Sequence, residues 1–349
     1  LPVLISARAK RHHCLEPAAQ FVDEHMIQSP PSPLVGPTVA RPRAGAEAKP
    51  SLSKTLRQHW LLYVMLIPAL LLLILFSFYP LLGIVIAFQD FKPSRGLAGS
   101  EFVGLKNFIE IFTMREAWPL FRNTVVIAVG KMVIGTLVSL TFALMVHEVA
   151  SRIFKRVVQT MTTLPHFLSW VIIGGVMVQV LASAGPLNNI IVSTFGGQPI
   201  RFLGDPSIFQ WTIILSDTWK GFGFGAVIYL AALTGINPEL YEAAAVDGAN
   251  RWSRLRHITL PGISSVVILL ACLNLGNVLN AGFEQLLVLS NPLVYSTGDI
   301  IDTWVYRRGL VQSQYSLSTA LGLVKSVVGF VLILLSYYLA GKFANYRIF

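Results

Sequence analysis

Five ionisable side chains, Lys131, Asp217, Lys220, Glu284 and Lys325, stand inside long apolar runs of this chain. A charge at the centre of a bilayer costs about 2.5–3.5 kcal/mol on insertion scales, so each group must face protein or water. Asn274, Asn277 and Asn280 recur at three-residue spacing and Glu284 follows at four. On a single helix these four share one face. Two uses of such a stripe stay open. It can hold helices together by interhelical hydrogen bonds, or it can line a path for a hydroxyl-rich solute, because amides and carboxylates bond hydroxyls well. Three cations and two acids at similar depth also predict pairing, with Glu284 set against Lys131 or Lys325, since an unpaired buried charge is costly.

These residues do not form a catalytic set. A phosphate-cradling loop needs G-x-x-x-x-G-K-[ST], and neither "GKM" at 130–132 nor "GKF" at 341–343 supplies the preceding glycine or the hydroxyl. His147-Glu148 is followed by Val149-Ala150-Ser151, which breaks any zinc-protease pattern. The seven histidines form no ligand cluster, and Cys14 and Cys272 lack metal-type spacing. No metal or cofactor is expected, and no enzymatic activity.

A second polar region lies between two apolar runs: "YEAAAVDGANRWSRLRHITLPG", residues 241–262. Just before it, Asn237-Pro238-Glu239 has the order of a helix start: a capping amide, a proline at the first helical position and an acid near the positive dipole end. Gly248 allows a left-handed turn. Asn250 can cap a second short helix bearing Arg251, Arg254 and Arg256, and Pro261 leads into the next apolar run. The product is a surface helix–turn–helix. Taken by itself, it reads as an amphipathic connector whose arginines fix topology.

The elements that must position these residues follow from composition. Of 349 residues, 54% are hydrophobic and 13% charged, and the mean hydropathy is +0.63. Soluble domains carry about 25% charged residues, so this chain belongs in a lipid bilayer. A net charge of +10 does not point to nucleic acid, because the basic residues sit in tails and connectors and form no patch interleaved with aromatics. Crossing the hydrocarbon takes about 20 apolar residues. Six spans qualify, at about 60–88, 120–146, 157–182, 208–234, 262–289 and 317–341, in an all-α polytopic membrane protein. The even-numbered connectors, with both tails, hold sixteen Lys and Arg; the odd-numbered connectors hold seven. Without the first tail the tally is eight to seven. Both termini and the 235–261 loop are therefore expected on the cytoplasmic side. Residues 1–50, rich in Pro and Ala towards their end and without a hydrophobic period, are expected to be a disordered tail or sequence upstream of the true start. The domain proper is 51–349.

The loop is also the first of several segments that resemble a known family. Glu242-Ala243-Ala244, three residues, Gly248, nine residues and then Ile258-x-Leu260-Pro261 match the EAA signature of binding-protein-dependent ABC importer permeases at every defined position. "FVGLKNF" (102–108) followed by "FRNTVV" (121–126) resembles the segment before the second span of sugar-importer permeases. "LPHFLSW" (164–170), "YLAALTGINPELYEAAAVDGANRW" (229–252), "NAGFEQ" (280–285) and "DIIDTWVYRRGL" (299–310) resemble the polysaccharide and oligosaccharide branch. The resemblance implies an ABC importer permease fold, with a second permease subunit, two copies of a cytoplasmic ATPase and an extracytoplasmic solute-binding protein as partners. It implies a sugar-type solute, on whose rings Trp170 and Trp219 can stack if they are not simply packing residues. It also places the ATPase-docking helix on residues 238–257. The alternative is a secondary transporter driven by an ion gradient, with Asp217 and Glu284 as coupling carboxylates; the absence of paired broken helices repeated between halves weighs against it.

Overall fold

A computed structural model of the chain describes residues 59–343. The expected tail, 1–50, and the last six residues lie outside the described residues. The chain divides into a unit ending at Met65 and a unit starting at Leu66. Of the first unit, 59–65 are described, helical from Trp60.

The helices named below are α1 Trp60–Leu73, α2 Lys106–Thr113, α3 Ala117–Glu148, α4 Arg152–Thr163, α5 Trp170–Val180, α6 Pro186–Phe195, α7 Pro206–Thr234, α8 Pro238–Val246, α9 Arg251–Arg254, α10 Leu260–Gly276, α11 Phe283–Leu289, α12 Ile301–Val305 and α13 Tyr315–Phe343. A two-residue hairpin, Gln89–Asp90 against Glu101–Phe102, is the extended structure among the described residues. Helix starts follow their local chemistry. Asp205 caps α7 through the Ser207 N–H, Asn237 caps α8 through Glu239, and Pro206 and Pro238 take first-turn positions where no donor is lost.

The long helices α3 and α7 pack against each other, α10 packs against both, and α13 packs on α10. One core joins α3, α5, α7 and α11 around Ile127, Trp170, Phe209, Ile213 and Leu286. A second joins α2, α3, α12 and α13 around Ile111, Trp304 and Leu321. A third ties the far ends of α3 and α7 to α10 through Val146, Tyr229, Leu233 and Ile263. At the crossing of α4 and α7, a Cβ on Gly223 would run into the Thr162 carbonyl, so the backbones meet where only hydrogen fits.

Among the described residues four helical stretches are long and apolar enough to cross a membrane: Trp60–Phe88, Ala117–Glu148, Arg251–Gly276 and Tyr315–Lys342; counting each of two bent pairs as one span gives up to six. Two of the expected spans are interrupted. The segment expected at 157–182 starts earlier, at Arg152, and breaks at Leu164–Phe167, a 3₁₀ turn containing Pro165. Leu168 is extended, Ser169 caps α5, and the two halves differ in direction by 101°. Pro165 removes a helix donor at the start of the 3₁₀ turn, which weakens the helix there, and the chain leaves the helical conformation at Leu168. The segment expected at 262–289 ends as a helix at Gly276. Asn277–Leu279 form turns, Gly282 is left-handed at φ +94, and α11 begins afresh at Phe283. The four-residue polar stripe therefore does not lie on one helix face.

Candidate functional site

An open cavity of about 460 Å³ lies among α3, α7, α10 and the 277–282 break. Its polar wall is built from Lys131, Thr136 and Ser139 on α3, Asp217 and Tyr229 on α7, and Asn274, Asn277 and Asn280. Phe222, Met132 and Leu270 add apolar surface. Five of the intramembrane residues singled out in the sequence are thus brought together: Lys131, Asp217, Asn274, Asn277 and Asn280. They are assembled by three helices and a break rather than by one stripe.

Lys131 is the hub. Its side chain is 10% exposed, whereas that of its ion-pair partner Asp217 is 36% exposed, so the carboxylate stands nearer the opening. Lys131 Nζ donates to the Ala281 carbonyl at 2.7 Å and to Gln285 Oε1 at 2.5 Å, with Asp217 Oδ1 at 3.4 Å. Gln285 is fully buried. Its Nε2 donates to the Ile213 carbonyl and to Ser216 Oγ, both at 2.9 Å, which ties α11 to α7.

Lys325 on α13 donates to both oxygens of Asp302, at 2.6 and 2.8 Å, and to Asn280 Oδ1 at 3.3 Å. Lys220 takes a different place, donating to the His166 carbonyl at 3.0 Å with its charge 5.4 Å from the Trp170 ring. Trp170 itself is a core residue, while Trp219 is exposed. The pairing expected for Glu284 is not found. Glu284 is exposed and makes no ion pair among the described residues, and Asp217 and Asp302 hold the two lysines instead. The break is the cause. It re-aims α11 so that Gln285 faces Lys131 and its neighbour Glu284 faces away.

The 235–261 loop follows its local signals. α8 and α9 meet at Gly248, whose φ is +76, and Asn250 Oδ1 caps α9 by accepting from the Ser253 N–H at 2.8 Å. Ala249 N–H closes the end of α8 on the Ala244 carbonyl at 2.8 Å. Glu242, Ala243 and Gly248 are exposed and Ala244 is half-buried. Ile258 lies half-buried on the 251–276 helical stretch, with Leu260 and Pro261 exposed after it. Tyr241 Oη lies 3.0 Å from Thr259 Oγ1, fastening α8 to that stretch.

Residues 133–345 match the family described as "binding-protein-dependent transport system inner membrane component". The chain belongs to that family. It is 42% identical over 298 residues to the polygalacturonan/rhamnogalacturonan transport system permease protein YteP of Bacillus subtilis, covering 85% of this chain and 92% of YteP. Identity to Protein LplB of the same organism is also 42%, over 294 residues, covering 84% of this chain and 92% of LplB. The fold matches a chain of a bacterial ABC transporter that imports the acidic polysaccharide alginate, with TM-score 0.77 at 35% identity, covering 84% of this chain and 99% of that one. A second structure of a bacterial alginate ABC transporter, in complex with its pentasaccharide-bound periplasmic protein, matches with TM-score 0.77 at 34% identity, covering 85% and 99%. The protein is thus a multi-pass permease subunit of an ABC importer in the cell membrane, without catalytic activity of its own.

The permease also contains polar contacts that sequence reasoning passed over. Gln285 and Asp302 complete the lysine contacts, and neither is marked by charge spacing on a continuous helix. At one end of α3, Asp299 takes two bonds from Arg307, at 2.5 and 3.2 Å, and one from Thr303 Oγ1 at 2.7 Å. Arg307 also lies 4.3 Å from the Tyr295 ring. Burial works against the Arg307 charge, but its bonds with Asp299 more than offset that and hold its pKa above the ordinary value. Next to it, Glu116 accepts from Trp304 Nε1 at 2.9 Å and pairs with Arg308 at 3.4 Å. The Trp304 bond, with Arg308 behind it, holds the Glu116 carboxyl below its usual range. The only signal for this cluster lay in the "DIIDTWVYRRGL" resemblance, where the eight-residue spacing from Asp299 to Arg307 follows no helical period.

Proposed function

We propose that this permease forms half of the translocation pathway for oligosaccharides or polysaccharide fragments, and that the 235–261 loop couples it to ATP hydrolysis. The observation that carries the reading is the chemistry of the 460 Å³ cavity. Amides, hydroxyls and one internally neutralised ion pair offer hydrogen bonds to sugar hydroxyls, with Phe222 and Met132 beside them for the apolar faces of a ring. Relatives with polysaccharide-transport names support the solute class.

The partners follow from the family: a second permease completing the pathway, two cytoplasmic ATPase copies, and an extracytoplasmic solute-binding protein. Both termini and the loop face the cytoplasm. Glu242, Ala243, Ala244 and Gly248 present the docking surface. Ile258, Leu260 and Pro261 pass its movement to α10 and the cavity wall. Within the pathway, Lys131, Asp217, Asn274, Asn277 and Asn280 line the wall, while Lys220 and Lys325 brace it. Glu284 lies outside this network. An ion-coupled mechanism is disfavoured because Asp217 is committed to Lys131 and Glu284 is far from being its partner in a buried site.

The test is reconstitution of the complex, with its co-purifying ATPase, second permease and binding protein, in liposomes. Uptake of the sugar found on the binding protein should require ATP. Uptake driven by an ion gradient without ATP would overturn the proposal.

A further inference from the structure

We infer that Lys131 is a positioning residue whose ammonium group holds the 277–282 break against the cavity wall, and that its carboxylate partner Asp217 is secondary to this task. The inference rests on the reading of that cavity as the pathway. A helix broken at membrane depth leaves backbone polar groups without helical partners, and protein must supply them, because lipid does not. Here Lys131 on α3 does so, bonding the Ala281 carbonyl at 2.7 Å. Lys325 on α13 reaches only the neighbouring side chain, Asn280 Oδ1, at 3.3 Å, while its shorter contacts, 2.6 and 2.8 Å, go to Asp302.

The order of distances on Lys131 ranks its partners. Gln285 Oε1 and the Ala281 carbonyl lie at 2.5 and 2.7 Å, and the Asp217 carboxylate stands back at 3.4 Å. An ammonium has three donors, and the two shortest contacts go to neutral acceptors on the break and on α11. The backbone is shaped to the same end. Gly282 is left-handed at φ +94, and a Cβ there would run into Lys131 Nζ.

The other broken span provides an internal control. Lys220 bonds the His166 carbonyl at 3.0 Å, within the 164–168 interruption, and makes no ion pair among the described residues. Ammonium-to-break contact therefore occurs in this molecule without any acid. Negative dipole ends and unwound carbonyls are where ion-coupled carriers bind a metal cation. In this chain tethered lysines occupy those places.

The experiment uses the intact importer complex with Cys14→Ser, Cys272→Ala and Val278→Cys, a buried position of the break beside the cavity, and measures the rate at which a water-soluble thiol reagent labels position 278. Lys131→Met should raise that rate about tenfold, the increase in local opening expected on losing a charge-assisted hydrogen bond. The neutral double variant Lys131→Met, Asp217→Asn should show the same increase, whereas Asp217→Asn alone should stay near wild type. Transport should fall in both variants that lack Lys131, while the binding protein keeps its affinity for solute. Should Lys131→Met fail to assemble, the charge-neutral double variant carries the test. A double variant labelled at the wild-type rate would overturn the inference, because the ion pair would then be what mattered. A separate Asn277→Cys variant, at an exposed position of the cavity wall, should label with Lys131 intact; no labelling there in any nucleotide state would overturn the pathway reading and the inference with it.

Discussion

Two interruptions of helix in this molecule use the same backbone device and are held by opposite means. The 235–261 loop and the 277–282 break each turn on a left-handed glycine, Gly248 at φ +76 and Gly282 at φ +94. Around Gly248 a Cβ would meet nothing within 4 Å; at Gly282 it would strike the Lys131 ammonium. The loop is closed by its own neighbours, Asn237, Ala244 and Asn250, each acting within a few residues. The break is closed from elsewhere, by side chains 150 and 45 residues away in sequence. A surface loop has water to satisfy stray polar groups and needs only local caps. A break inside an apolar bundle has no such recourse, so other helices must reach it.

The largest expected effect is at Gln285, the buried amide that connects the break to α7. Gln285→Leu removes one acceptor from Lys131 and the amide that bonds the Ile213 carbonyl and Ser216 Oγ, although Ser216 keeps its own bonds to the Thr212 and Ile213 carbonyls. A hydrogen bond to a charged group is worth about 1.5–3 kcal/mol, and two neutral bonds go with it, so the loss should reach about 3 kcal/mol. Thermal unfolding of the detergent-solubilised complex should show a clearly lowered midpoint. A midpoint unchanged from wild type would mean that the break is not supported from outside and would erase the contrast with the loop.

The two glycines provide the sharpest comparison. Gly248→Ala and Gly282→Ala both incur the left-handed penalty of about 1–2 kcal/mol. Only the second also displaces a lysine. Gly248→Ala should insert and keep bundle stability while its ATPase subunit dissociates on purification or loses solute-stimulated hydrolysis. Gly282→Ala should lower the unfolding midpoint as well. Equal midpoints would show that Lys131 yields easily.

How much was legible in the sequence follows the same division. The loop's start, turn and second cap were all read from Asn237, Gly248 and Asn250, because each acts on its own neighbourhood. Spans were legible as apolar length, and Lys131 and Asp217 each as a charge in oil, but not as partners, since Lys131 was set against Glu284. The breaks were not. Pro165 and Gly276–Asn277 are compatible with continuing helices when the partners that stabilise an interruption lie on other helices, so hydropathy ran straight through both sites. The polar stripe failed for the same reason: its spacing assumed one helix where there are two. Asp302 and Gln285 escaped notice because the first lies outside any apolar run and the second carries no charge.

A smaller effect is expected at the loop's second cap. Asn250→Ala removes the acceptor for the Ser253 N–H and should cost about 1 kcal/mol of local helix stability. Hydrogen exchange at 251–254 should accelerate while exchange in α10 is unaltered, because the caps act locally. If α10 also exchanged faster, the loop would depend on distant structure as the break does.

The smallest effect is expected one residue from the largest. Glu284 is an ionised-type side chain in an apolar sequence, and reading it as helix-buried demanded a lysine partner. In the fold it is exposed on α11 with no ion pair among the described residues, while its neighbour Gln285 is fully buried. Glu284→Gln should therefore shift stability by no more than about 0.5 kcal/mol, as for an exposed site without partners. Exchanging charges, Glu284→Lys with Lys131→Glu, should be far worse than wild type, because it strips the ammonium from Ala281 and Gln285 and puts a carboxylate against two acceptors. Measuring unfolding midpoints of the single and exchanged variants decides the matter. Stability restored by the exchange would place Glu284 beside Lys131 after all, and the break would then have to be a continuous helix. Side-chain identity alone ranks Glu284 above Gln285 as the residue to watch; the 277–282 break, by setting which of the two faces the bundle, reverses that order.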